Sequence, residues 1–523
     1  MRLPSQTVPT RHLSAVLVAM LRVGCAALFV SVGGCGGGAG NAPSSNSVAM
    51  PAPDPGSTQL PPAAEPLVVG TALSIDSGAT GNPVSLRVAR SASGDGFAAW
   101  QADDGSRHNL WANRYSAATG VWGSPINIEA SSADIDEFDI TIDASGNAVV
   151  AWHEVPNNPQ LESGVVMSAR FDTGAGAWAQ PVPLNTNARE PRVASDATGA
   201  VLAVYVAGAG VVRGRFFDAA SGIWAPEAAI EQNFGTNGFG SSFGPAALLD
   251  GSGNALVTFN NGEHTFDLIA SNYFSRSTGD WAFKLALDQC DILGVVPGSL
   301  VDGGNDHLGL AASSGGDFLL AWQHFFLGPP GGGPGGSELR IARFTSSTRI
   351  WSEAQTLVPG SAGQNVQFRR NGIGSDAAGN ALLIWTETVP MRTALKAIRL
   401  DKAGVASSAV QVIDSAVGGS IAQPFRGADL RVDPLGNAIA IWQQFEGTFP
   451  NDGSRSNIAM NRFDGATGTW ASAVFAEAEP GNAISPSASV PVASQALLGW
   501  IQSEGGANRV KAMLQPLTNM QGQ

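Results

Sequence analysis

Three cysteines, three tyrosines and six histidines are spread over 523 residues, and only 14% of the chain is charged. Each scarcity closes a route. Cys25 and Cys35 lie near the N-terminus, so the rest of the chain holds Cys290 alone and can form no internal disulfide; cohesion has to come from packing. His108, His153, His264, His307 and His324 form no His-x-His or His-Glu-x-x-His pair, so no zinc site is indicated. Basic residues are few as well. Beyond residue 34 there are 26 lysines and arginines against 43 acids, a net −17 that opposes a phosphate backbone and argues against a nucleic-acid partner. The apolar stretch from Val23 to Val32 is too short to cross a bilayer.

What the N-terminus does contain is an address. Residues 1–34 carry Arg2, Arg11 and Arg22, no acid, the apolar stretch and then small residues, the build of a secretory signal. The run Val32-Gly33-Gly34-Cys35 resembles a bacterial lipobox, which implies that Cys35 is diacylated through sulfur and becomes the mature N-terminus. Cys25 fits less well, with Arg22 three residues before it. Gly36, where an Asp would favour inner-membrane retention in that family, implies the outer membrane. Residues 35–66 are Gly, Ser, Asn, Ala and Pro, a composition that buries no core and reads as a tether between membrane lipid and a domain over 67–523.

Twelve of thirteen tryptophans fall at two recurring positions within 67–523. One closes an apolar run: Trp100, Trp152, Tyr205, Phe259, Trp322, Trp385, Trp442 and Trp500, at intervals of 52 to 63 residues. The other follows a Gly-containing turn: Trp122, Trp178, Trp224, Trp281, Trp351 and Trp470. Residues 137–187 show the unit. An alternating strand at 139–143 meets an Asp-x-x-Gly turn (Asp143 to Gly146), an apolar strand ends at Trp152, a third strand reaches Phe171, and a second turn leads to Trp178. The first turn suits a hairpin with a bulge, because Asp can accept downstream amides and Gly can take positive φ. Asp196, Asp250, Asp376 and Asp433 repeat it, and Ser91, Ser313 and Pro491 take the Asp slot elsewhere.

Four strands per unit, repeated at this spacing, predict an all-β fold: an eight-bladed β-propeller of four-stranded antiparallel blades, with seven blades as the alternative. The last unit has only three strands, and 67–75 resembles a fourth strand. The N-terminal strand is therefore expected to complete the last blade and leave no exposed edge there.

Tight, regular turns occupy one face, and the variable loops, 101–109, 154–164, 232–245, 288–307, 324–338 and 444–457, occupy the other. Aligned inner-strand residues near that face include Arg87, Asp139, Arg192 and Asp429. Residues following the first aromatic approach the same mouth: Gln101, His153, Glu154, Gln323, His324, Glu387 and Gln443. Together they predict a polar funnel for a glycan, a peptide or an envelope protein. Trp111, outside the repeat register, is the candidate for sugar stacking. Asp134, Asp136, Glu137 and Asp139 concentrate oxygen ligands that could attract Ca²⁺, without EF-hand spacing; no other cofactor is expected. Arg114, Arg170, Arg343, Arg399 and Arg462 recur with the repeat, which points to a structural pairing, with a carboxylate of the next blade as the expected partner.

The segment Arg-Phe-Asp-x-x-x-Gly-x-Trp resembles the Asp-box of bacterial sialidases and related propellers, which occupies the same turn with a different spacing. That family's catalysis calls for a Tyr nucleophile, and Tyr115, Tyr205 and Tyr273 all stand at aromatic repeat positions, so no catalytic residue carries over. The expectation is a monomeric, lipid-anchored binding or scaffold protein. The alternative is a polysaccharide hydrolase or lyase using carboxylates such as Asp103, Asp104, Asp139, Glu154 or Glu387.

Overall fold

The computed structural model describes residues 69–517, apart from 130, 156–163, 209, 232–240, 264–265, 283–284, 289–301, 327–334, 361–365, 390–391, 422–427, 447–454 and 491–494. The signal, Cys35, the tether and Pro491 lie outside the described residues, as does most of several variable loops. All the regular structure described is β, with no helix, and the strands pair antiparallel.

Each sequence repeat folds as a meander. In the first, Asn82–Arg90, Gly96–Asp103 and His108–Ser116 pair in order, and the outermost strand is split into Val121–Trp122 and Ile126–Asn127, both paired to the third. Among the described residues these form seven hydrogen-bonded sheets, because the second and third repeats are merged. The merging strand, Val182–Ser195, pairs with Gly164–Asp172 along its first half and with Val201–Ala207 along its second. In the last sheet Leu73–Ser74 pairs with Ala507–Pro516, Leu73 opposite Ala512. Innermost strands pack in chain order, and the last, Ala483–Ser489, lies against the first: Val88 N–H donates to Ser487 Oγ (3.1 Å) and Arg90 N–H to Ser489 Oγ (2.9 Å).

The turns explain why the sequence repeats. Asp143 Oδ1 accepts the N–H groups of Ser145 and Asn147, and Oδ2 accepts Asn147 Nδ2. Asn147 Oδ1 then accepts Thr173 N–H, tying the first turn of the unit to its second. Where Ser91 and Ser313 replace the Asp, the Asn slot holds Asp95 and Asp317, which accept Ala117 N–H and Ser346 N–H in its place. The acid has moved to the Asn slot, so these two turns keep one carboxylate each, while Ser313 Oγ still accepts Asp317 N–H as Asp143 accepts that of Asn147. Gly146 has φ 86° and leaves no room for a side chain: a Cβ there would stand 3.0 Å from Asp95 Oδ2 of the preceding repeat. The same nesting sets Gly253 against Asp196 and Gly436 against Asp376.

Both tryptophan positions are packing positions. Trp100, Trp152, Trp322, Trp385, Trp442 and Trp500 have no exposed surface. The second set lies against the aromatic that ends the third strand of the same repeat, as in Phe171–Trp178 and Phe463–Trp470, with ring centroids 5.3–5.7 Å apart in all six copies. Three of the recurring arginines differ from expectation in their partner. Arg114, Arg170 and Arg399 lie over Phe171, Phe217 and Phe463 of the next repeat, 5.3–5.8 Å from the ring centroid. For Arg114 and Arg170 the paired carboxylate comes from the same repeat, Asp95 and Asp172. A guanidinium keeps part of its hydration on an aromatic face, which favours the ring at a half-exposed seam.

Candidate functional site

Four of the aligned inner-strand residues form one electrostatic group. Arg192 pairs with Glu137 at 2.5 Å, and Asp139 Oδ2 accepts Val193 N–H at 3.1 Å, joining the second repeat to the third. Burial pushes the Asp139 carboxyl up in pKa, against the pull of Arg192 and Arg87. Burial also works to lower the Arg192 pKa, but Glu137, Asp139 and Glu190 outweigh it and hold the guanidinium above its usual value. Asp429, 1% exposed, is likewise raised by burial; Arg431 and the N–H of Ala488 act against the shift, as does Arg87. Arg87 therefore acts on Asp139 on one side and Asp429 on the other. It is exposed, and its recorded hydrogen bond goes to the Leu86 carbonyl (3.2 Å).

Bulges aim this group. Inner-strand register shifts fall between Pro83 and Ser85, Ile135 and Glu137, Arg189 and Arg192, and Ile484 and Ser487. Glu190 and Ser485 sit within them at φ 54°, a left-handed conformation that non-glycine residues adopt at a cost. Glu190 Oε2 then accepts the N–H of Gly244, φ 61°, at the corresponding shift of the next repeat (2.6 Å). The alignment of strands in sequence did not contain these bulges, because one extra residue leaves no compositional mark when Glu or Ser occupies it.

The residues following the first aromatic are placed differently from a funnel wall. Gln101 and Gln323 are buried and bridge to the next repeat, through Ile135 O and Phe368 N. Glu154 and Glu387 accept the indole N–H groups of Trp152 and Trp385, two residues earlier, and the same spacing joins Trp442 to Gln444 and Trp500 to Gln502. A buried indole N–H needs an acceptor, and a strand returns a side chain to the same face after two residues. The recurring Trp-x-(Glu/Gln) was the signal for this role. Glu387 also pairs with Lys396, and Glu154 accepts Ser131 Oγ. His324 is buried, and Gln443 is half-buried. His153 Nε2 accepts Gly164 N–H, so its Nδ1 carries the proton toward Asp136 (2.7 Å). Trp111 is not an open platform. It is partly buried against the cluster around Trp100 and Leu86, and its indole N–H is enclosed.

The four carboxylates weighed for Ca²⁺ diverge to four partners: Asp134 to His108, Asp136 to His153, Glu137 to Arg192 and Asp139 to the Val193 amide. Among the described residues no cluster of three His, Cys, Asp or Glu is arranged to hold a metal ion.

No protein-family model matches this chain, and no curated protein matches it. Solved structures do, at low identity. A structure of the Dos1 propeller is 10% identical, over 86% of this chain and 95% of that one, with a TM-score of 0.47. A PL25 ulvan lyase bound to GlcA(1-4)Rha3S is 12% identical, over 72% of this chain and 91% of its own, with a TM-score of 0.45. The Hadza microbial sialidase Hz136 is 11% identical, over 83% and 66%, with a TM-score of 0.36. Likenesses this distant carry nothing about chemistry, and the propeller-like arrangement of antiparallel meanders stands on the strand pairing itself.

Proposed function

We propose that the protein is a lipid-anchored, extracytoplasmic propeller of eight blades, closed by its N-terminal strand, that binds a glycan, peptide or envelope partner at the inner-strand charge group. The pairing of Leu73–Ser74 with Ala507–Pro516 and the contact of the last inner strand with the first support closure. Eight sequence repeats support the blade count, the second and third sharing one hydrogen-bonded sheet.

The observation that carries a binding role over a hydrolytic one is the engagement of every carboxylate considered for catalysis. Asp103 and Asp104 accept amides of their own turn, Asp139 accepts Val193 N–H in the field of Arg192, and Glu154 and Glu387 hold indoles. A general acid or nucleophile needs a proton or lone pair free for substrate. Arg87 is the exposed charge of the group. Glycan and peptide arrays probed with the full-length protein are expected to return a ligand whose affinity falls about tenfold in Arg87→Glu, the scale of one charged contact. An unchanged affinity removes the inner-strand group from the reading.

The anchor rests on Val32-Gly33-Gly34-Cys35. Bacteria fed a radiolabelled fatty acid are expected to label the wild-type protein and not Cys35→Ser, which should leave the membrane fraction, since stable attachment takes two chains. Equal labelling of the variant sinks the lipoprotein assignment.

A further inference from the structure

A pocket of about 550 Å³ lies between the seventh and eighth repeats, lined by Val69, Glu446, Arg455, Asn457, Phe475 and Glu477 among others. It is separate from the inner-strand group and owes nothing to it.

An acid follows the outermost strand in several units and holds a backbone amide of the third strand. Glu129 Oε2 accepts Leu110 N–H, and Glu231 Oε2 accepts Val212 N–H. In both copies the second oxygen is satisfied too: Asn127 Nδ2 donates to Glu129 Oε1 (2.9 Å), and Asn261 Nδ2 to Glu231 Oε1 (3.1 Å). Glu477 is the copy in the seventh repeat. Glu479 N–H donates to its Oε2 (2.8 Å), and its side chain is 2% exposed, yet its Oε1 has no hydrogen-bond partner.

Both donors used by the siblings are missing here for identifiable reasons. Two residues before the acid, where the first repeat has Asn127, the seventh has Phe475. The counterpart of Asn261 in the following repeat is Gln502, which is committed to Trp500 Nε1 and the Gly481 carbonyl. Arg455 does not close the gap: its Nη2 stands 3.9 Å from Glu477 Oε2 and is given to the Glu479 carbonyl, and its Nε faces Glu446 Oε1 at 3.5 Å. Asn457, 3% exposed, adds a second orphan acceptor, Oδ1, its Nδ2 being spent on Glu446. Two buried acceptors without partners around one pocket, Glu477 Oε1 and Asn457 Oδ1, run against the rule that such atoms are satisfied, each costing about 1–3 kcal/mol if left so.

We propose that this pocket binds a neutral saccharide. The orphan set is two acceptors, and a sugar presents neighbouring hydroxyl donors without a charge, so adjacent hydroxyls can serve Glu477 and Asn457 together. Phe475, Val69 and Ala476 supply an apolar wall for the C–H face of the ring. Glu446 and Glu477 disfavour an anion, and Arg455 between them disfavours a cation. The volume falls within the range of about 300–1,000 Å³ typical of small-ligand sites.

The test is saturation-transfer NMR on the full-length protein in detergent, with methyl glycosides of glucose, galactose, mannose and N-acetylglucosamine, and methyl glucuronide as the anionic counterpart. At least one neutral glycoside is expected to show transfer at its ring C–H protons. Affinity should fall about tenfold or more in Asn457→Ala and in Glu477→Gln, as for the loss of one desolvated hydrogen bond. Phe475→Asn, which restores the sibling donor beside Glu477, should abolish binding in a protein whose circular dichroism is unchanged. Transfer from no neutral glycoside, a preference for the glucuronide, or binding that persists in both Asn457→Ala and Phe475→Asn overturns the proposal. It fails separately from the inner-strand reading, which Arg87→Glu tests.

Discussion

Trp442→Ala is expected to lower the unfolding free energy by about 3–5 kcal/mol, the cost of deleting a fully buried indole whose site cannot collapse. Trp442 has no exposed surface and belongs to a cluster containing Leu382, Ile384 and Leu395 of the sixth repeat beside Leu430, Ala440 and Phe463 of the seventh. The cavity would therefore open at a seam between repeats, with a second loss added. Gln444 Oε1 accepts the Trp442 indole at 2.7 Å, and the same side chain donates to the Gly418 carbonyl, so the variant leaves a buried amide half satisfied. Trp442→Phe keeps most of the volume and loses the N–H, separating the two contributions. Urea unfolding followed by circular dichroism checks both; a loss below about 1 kcal/mol in the Ala variant would contradict a close-packed seam.

Arg192→Met is the second large effect, and its dependence on pH is the diagnostic part. Arg192 is about one-fifth exposed and faces Glu137 and Asp139, so its removal leaves two carboxylates without their main counterion. The expected cost at neutral pH is about 2–3 kcal/mol, below the full penalty for breaking a buried pair because water still reaches the guanidinium. Asp139 already titrates above the ordinary carboxyl range, and without Arg192 it would rise further. A raised acid pKa means that the folded state holds its proton where the unfolded state has lost it. The favourable contribution is then present below the unfolded pKa and lost as pH rises through the folded one. The deficit of Arg192→Met should accordingly shrink as pH falls through the mildly acidic range, and Arg192→Met/Asp139→Asn should show much less of that dependence. A deficit independent of pH would mean that the arginine contributes by packing alone.

Much of the fold was legible because its determinants are local and repeated. The Asp-x-x-Gly turn announces a side chain that takes amides and a backbone that needs positive φ, and both are found at Asp143 and Gly146. The aromatics that close the apolar strands are buried wherever they fall. The candidate site was less legible, for two physical reasons. Glu154 and Glu387 carry the charge and position of ligand contacts, and only the indole two residues earlier reveals what they serve. The inner-strand bulges invert which side chains share a face without changing composition, so the neighbours of Arg192 were not to be read by alignment. The pocket at Glu477 was invisible for the opposite reason. Its signal is a donor missing from one copy of a repeat, which has meaning only once the other copies are seen to use it.

The turn carboxylates have a consequence for how this acidic chain responds to its surroundings. Asp143, Asp196, Asp250, Asp376 and Asp433 are bound to amides of their own turns, at 2.7–3.0 Å. They are also buried, with Asp433 wholly enclosed. Dissolved ions weaken attraction between separated, hydrated charges, and they have little purchase on a carboxylate in contact with fixed dipoles and shielded from water. These five of the chain's 43 acids are turned inward, so the turns hold alike in dilute and concentrated salt, whatever the counterions do for the charge left outside.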